Sequence, residues 1–334
     1  VQGTGSITWV QQRNNGSGGA ISLSSTSQSR TVAISHMRFI ANIAPNTSIA
    51  IQANSYTQGV TIEQNDFLHF NSAVIFNSVQ NGRIESNAFG DSIIPYRTAN
   101  DVIVLSQCNN ILVQKNKVHN VTFRNSGTNF SILNVRNARN TQVFNNTFSN
   151  IGYELLFADQ NIFQIRRAAI VRLETSFDSL LMIGNLIEQL RLPINRVDST
   201  GPGNSVKELY LIRTVNLNAT PTESLIFLHN TVLFSGNYFG NCSSRFYAFS
   251  LKPIRNLYVQ NNLFGFDLKG NPQRFKGALF AFSNQSEQLF SNSTMGHNVY
   301  LIDSAATFPF HWDADTLPVR GLSEWRKKVA FPGR

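Results

Sequence analysis

Charge is scarce in this chain. Asp, Glu, Lys and Arg make up 14% of its 334 residues, well under the ~25% of an average domain. That excludes a charge-rich disordered tail and a coiled coil. Cysteine is nearly absent, with Cys108 and Cys242 standing far apart and no CxxC or Cys/His cluster. A zinc site is therefore not expected, no other metal or cofactor is implied, and two buried free thiols are. No apolar run approaches the ~20 residues of a membrane-spanning helix. Long amphipathic helix periodicity is missing too. The best short helix candidate is Ser323 to Lys328, capped by Ser323. The Gly16-Ser17-Gly18-Gly19 stretch is followed by no helix start, which removes it as a phosphate loop. The chain opens Val1-Gln2-Gly3, without an initiator methionine or a secretory apolar region, as a piece of a longer protein would.

Asparagine and phenylalanine are abundant, at 39 and 26, and the asparagines recur in a pattern. Val60-Thr61-Ile62-Glu63-Gln64-Asn65-Asp66-Phe67, Ile84 to Phe89, Val113 to Val118, Val143 to Phe148 and Val259 to Phe264 each contain apolar-x-x-Asn-x-apolar. An early variant, Ile34 to Phe39, has Met37 in the asparagine place. The motif asparagines are read as Asn65, Asn87, Asn116, Asn146, Asn185, Asn237, Asn262 and Asn298. Second apolar runs lie between them, such as Val102-Ile103-Val104-Leu105 and Ala168-Ala169-Ile170-Val171. Strands alone, repeated at this length, predict a solenoid with inward Val, Ile, Leu and Phe stacking from turn to turn. An asparagine at the bend tolerates a left-handed backbone, and its amide reaches the coils above and below.

These repeats resemble the right-handed parallel β-helix proteins, the pectate-lyase-like superfamily with its secreted bacterial members. The resemblance covers about residues 29–302. It implies an all-β, single-stranded right-handed parallel β-helix of about ten coils over 1–302. An irregular closing segment with the short helix would fill 303–334. It also implies a secreted or cell-surface location.

The net charge of +9 rests on 20 Arg against 8 Lys. Arginine favours bidentate contact with carboxylate, sulfate or phosphate, so an anionic partner is expected. An acidic polysaccharide or similar polyanion fits the resemblance better than nucleic acid. The carboxylate pairing of β-helix hydrolases is missing: no Asp-Asp pair occurs, and the nearest group is His311 with Asp313 and Asp315. A lyase acting on uronic acids needs cations to neutralise the substrate carboxylate and a base for the adjacent proton. Arginines crowd the middle of the chain. Arg172 and Glu174 alternate outward around Leu173 and form the candidate catalytic pair. Arg136, Arg166, Arg167, Arg213 and Lys252 are the candidate substrate-binding residues. Arg136 and Lys252 each stand ten residues before a motif asparagine, which predicts one shared column on the outside. The Asp-rich strands of pectate lyases are absent, although Arg191-Leu192-Pro193-Ile194-Asn195-Arg196 has their arginine spacing. Two function classes therefore stand: a β-helix protein that binds and cleaves an acidic polysaccharide, and a non-enzymatic adhesin, passenger or fibre shaft, alone or as an oligomer.

Overall fold

Val60 and Ile62 alternate with Thr61 and Glu63, so an extended chain turns both apolar residues to one face. Both are fully buried. The next coil answers with Ile84 opposite Ile62, and the one after with Val113 opposite Ile84. The column continues through Val143, Met182 and Phe227 to Val259. A second column holds Phe39, Phe67 and Phe89, whose rings stack at 5.0 Å, and passes through Val118 to Phe148. Of the residues expected to point inward, Val113 and Phe148 are 2% exposed, and Val60, Ile62, Phe67, Val143, Val259 and Phe264 are fully buried.

The computed structural model describes residues 2–11, 20–24, 31–41, 49–57, 59–91, 96–98, 100–123, 129–153, 166–190, 207–215, 223–238, 245–252, 254–270, 276–282, 293–302, 309–312 and 319–320. Among the described residues there is strand and no helix, and 28 strands form one sheet. The sheet runs as two parallel ladders, which the long strand Asn129–Phe144 joins. The chain visits each ladder in turn, so strand partners lie one coil apart in a solenoid-like wind. A small second sheet pairs Tyr96–Thr98, Val121–Phe123 and Gly152–Tyr153. Past residue 302, Pro309–Trp312 still pairs in parallel with Lys276–Phe282, and Val319–Arg320 pairs with it antiparallel. The helix expected at Ser323 to Lys328 lies outside the described residues.

The asparagine repeat is a hydrogen-bonded ladder. Asn65 Nδ2 donates to Asn87 Oδ1, and the same link joins Asn87, Asn116, Asn146, Asn185, Asn230, Asn262 and Asn298 at 2.9–3.2 Å. Each Nδ2 also donates to a backbone carbonyl one coil back, as from Asn116 to Ile84 at 2.7 Å. Each Oδ1 also accepts a backbone N–H, as from Asn87 to Asn116 at 3.0 Å. Two details differ from the sequence reading. Asn230, not Asn237, holds the sixth place; Asn237 lies in the strand Thr231–Tyr238 opposite Lys269. The left-handed residue is the one before the asparagine: His36, Gln64, Ser86, Lys115, Asn145, Gly184, His229, Asn261 and His297, with φ between 52° and 67°. That residue turns the chain and leaves the asparagine extended, with its amide aimed along the wind. The demand for αL at the corner therefore falls on the preceding residue, which differs from coil to coil, and not on the asparagine.

Two core positions carry tests. Gly82 is forced by packing, since a Cβ there would come within 2.8 Å of Phe76 Cε2 and 2.9 Å of Ile111 Cδ1. Gly82→Ala is expected to cost ~1–3 kcal/mol by overpacking, read as a lower urea midpoint. Cys108 is a buried free thiol, and burial raises its pKa to about 11. The unfolded thiol ionises near ~8.5, so the unfolded state gives up its proton first as pH rises. Stability should fall between those values, by about 3 kcal/mol at most. Alkaline denaturation of wild type against Cys108→Ala checks this, because the variant must lose that slope. Cys242 lies outside the described residues.

Candidate functional site

The second ladder holds a feature that a flat strand lacks. At Ile132-Leu133, Ile170-Val171 and Leu211-Ile212, two successive residues are both buried. In a straight strand they would face opposite sides. The strand bends there, and the outward side chains on either side of the bend converge. Ser131 and Asn134 show it. Ser131 Oγ donates to Asp101 Oδ1 and Asn134 Nδ2 to Asp101 Oδ2, each at 2.7 Å. Repeated in coil after coil, the bend makes an outer angle that follows the solenoid.

Register fills this angle with charge. Asn134, Arg172 and Arg213 are neighbours in one column, followed by Ser250. Arg136, Glu174 and Val215 form the next. Arg172 is 3% exposed although it faces away from the apolar core. Its Nη2 donates to Asp101 Oδ2 at 2.7 Å, and its Nε lies 3.0 Å from Glu174 Oε1 without the alignment of a hydrogen bond. The other Glu174 oxygen pairs with Arg136 Nε, and Arg136 Nη2 is 3.7 Å from Asp101 Oδ2. Two guanidinium groups and two carboxylates thus neutralise one another. Asn134 Oδ1 is buried there with no hydrogen-bond partner among the described residues.

A second group adjoins it. Glu208 Oε2 accepts from Arg167 Nε at 2.9 Å and from Tyr210 Oη at 2.5 Å. Burial works against the Arg167 charge, yet the hydrogen bond and charge of Glu208 hold its pKa above the ordinary value. Burial and the Glu208 charge keep Tyr210 protonated well beyond the ordinary phenol range. Tyr210 stacks on Tyr247 with centroids 5.2 Å apart. Arg213 lies over the Tyr210 ring at 5.1 Å and donates from Nη1 to Asn129 Oδ1 at 2.7 Å. No carboxylate among the described residues lies within ion-pair distance of Arg213. Burial lowers its pKa; the Tyr210 oxygen and the Glu208 charge oppose this, and the Arg167 and Arg172 charges add to it.

Of the sequence candidates, Arg136, Arg167, Arg172, Glu174 and Arg213 come together in this angle. Lys252 stands apart from the ion pairs. Extending the Arg213–Ser250 register by two residues sets it beside Val215, and its N–H donates to Thr214 Oγ1 at 2.6 Å. It thus shares the column of Arg136, with Glu174 and Val215 between them. The side chain of Arg166 lies outside the described residues, as do Arg191, Arg196, Asp313 and Asp315. Reasoning from sequence missed Asp101, Ser131, Asn134, Glu208 and Tyr210. The signal for Asp101, Ser131, Asn134 and Tyr210 was a side chain with a polar group just before, or just after, a pair of adjacent aliphatic residues; Glu208 had none. Among the described residues, no group of three or more His, Cys, Asp or Glu is placed to hold a metal ion. Among them there is no helix long and apolar enough to cross a membrane. No family model matches the chain, and no curated protein or solved structure matches it.

Proposed function

We propose that the chain is a right-handed parallel β-helix of about ten coils whose outer angle binds an acidic polysaccharide, secreted or at a cell surface. The corner positions from Met37 to Asn298, with the strand Gln2–Gln11 paired ahead of them, support the coil number. The observation that carries the binding reading is Arg213. It is a half-buried guanidinium, held in place by Tyr210 and Asn129, that faces two like charges and is ion-paired to no carboxylate among the described residues. A cation fixed in this way is stabilised by an anion brought from outside. Arg172 and Glu174 then act as support, holding the angle in shape through Asp101 and Arg136. Any cleavage would be lyase-like, with an arginine neutralising the substrate carboxylate.

The test is a panel of acidic and neutral polysaccharides, scored for binding, for ultraviolet absorbance of new double bonds and for new reducing ends. Binding confined to the acidic members and weakened by salt is expected, because screening shortens charge interactions to ~8 Å at physiological ionic strength. Binding to none of them would overturn the reading. The internal pairing of Arg136, Arg172, Asp101 and Glu174 favours a second reading, a non-enzymatic adhesin, passenger or fibre shaft. Binding with neither product signal selects it.

A further inference from the structure

The outer angle contains four described guanidinium groups, Arg136, Arg167, Arg172 and Arg213, and three carboxylates, Asp101, Glu174 and Glu208. Among these seven groups one positive charge is left over; Lys252, one coil beyond Arg213 in the column of Arg136 and Glu174, stands outside the cluster. The surplus charge sits on Arg213, since each of the other three guanidinium groups lies at an acid. Nη1 of Arg213 is taken by Asn129 and one face of the guanidinium by Tyr210. The fork formed by Nε and Nη2 has no partner among the described residues. That fork matches the two oxygens of a carboxylate.

We propose that Arg213 is a single-carboxylate subsite, and that the angle therefore selects a sparsely charged glycan, with neutral sugars between its acids, over a dense polyanion. This rests on the acidic-polysaccharide reading and narrows it. Toward the N-terminal coils, a chain with an acid on every sugar would set its next charges beside Glu174, and beside Glu208 in the coil of Arg213 itself, where the described guanidinium groups are already paired. Coil rise is ~4.8 Å, about the length of one sugar, so the carboxylates of such a chain cannot all avoid the acids. The repulsion that Arg167 and Arg172 exert on Arg213 is relieved by one bound charge.

Affinity for two oligosaccharides of equal length tests the proposal, one with a uronate on every sugar and one alternating uronate with a neutral sugar. The alternating oligomer should bind at least as tightly. The slope of log affinity against log salt should lie near one, because each ion pair formed adds roughly one unit. Arg213→Gln should weaken binding more than tenfold, and Arg213→Lys should restore part of it. Arg83→Gln, on the other ladder, should change nothing. A slope of three or more, or Arg213→Gln binding like wild type, overturns the single subsite and leaves the polysaccharide reading standing. Failure of both oligomers to bind removes both. Thermal unfolding of each variant shows whether its fold is kept, and Arg213→Lys decides the matter should Arg213→Gln not fold.

Discussion

Asn116→Ala should unfold at a far lower urea concentration than wild type. The substitution removes four hydrogen bonds to three neighbours at once. Asn87 loses the acceptor of its N–H and of one Nδ2 hydrogen, the Ile84 carbonyl loses its donor, and Asn146 Oδ1 loses one of two. All lie in a buried corner. An orphaned buried polar group costs ~1–3 kcal/mol, so the total is about 5 kcal/mol or more. Asn116→Asp refines the test. It keeps an acceptor but, when ionised, loses the donor and sets a charge against Asn146 Oδ1. Burial raises the pKa of the new carboxyl, so the variant should be most stable in acid and weaken as pH climbs through that folded pKa. Hydrogen exchange should report the damage first in the coils holding Asn87 and Asn146. A midpoint equal to wild type for Asn116→Ala would sink the ladder as a source of stability.

Arg172→Ala is the other large effect. It leaves Asp101 and Glu174, both largely out of water, facing one another with only Arg136 between them. Breaking a buried pair in this way costs ~3–5 kcal/mol, mostly as uncompensated charge. The remedy tells the mechanism. Arg172→Met combined with Asp101→Asn removes one charge of each sign and should regain much of the loss, because the pair itself contributes little beyond an apolar replacement. Chemical denaturation of the two single variants and the double variant gives the coupling. A single variant within about 1 kcal/mol of wild type would show that the outer angle is wet enough to dissolve these charges.

Why the coil could be read and the angle could not is a matter of range. Each coil repeats the same local demand: an apolar residue in, a polar residue out, a residue tolerant of positive φ, then the amide. Val60 to Phe67 and Val259 to Phe264 meet it in the same order, so the eye finds them. Asn230 fits the same pattern, with Phe227 three places before it and Val232 two after, so the sequence leaves it level with Asn237; its coil lies 45 residues from Asn185, the widest spacing in the ladder. Asn237 was chosen in its stead because it too has apolar neighbours at the right offsets. The αL position was misplaced for a plainer reason. Asparagine favours both that backbone region and stacking, and only register separates the two roles. In the sequence Asp101 is a lone acid before an apolar run. It is bonded to Arg172 across 71 residues, and no local pattern in either segment points to the other. Arg172 and Glu174 were visible as an outward pair, but Tyr210 and Asn129, which set the environment of Arg213, become neighbours only through the bend.

The amide ladder is also directional. From Asn65 to Asn298 every side-chain link runs donor to acceptor toward the C-terminus, while the companion bond runs back to a carbonyl already in place. A chain emerging from the ribosome delivers its coils in that order, N-terminal part first. Each newly wound coil can close its backward bond at once, and then shows a waiting N–H and an amide hydrogen to whatever comes next. The growing end is thus a template that accepts an asparagine in one place and rejects a coil laid down out of phase. Winding from the opposite end would start from acceptors alone, with no carbonyl behind them to hold the amide still.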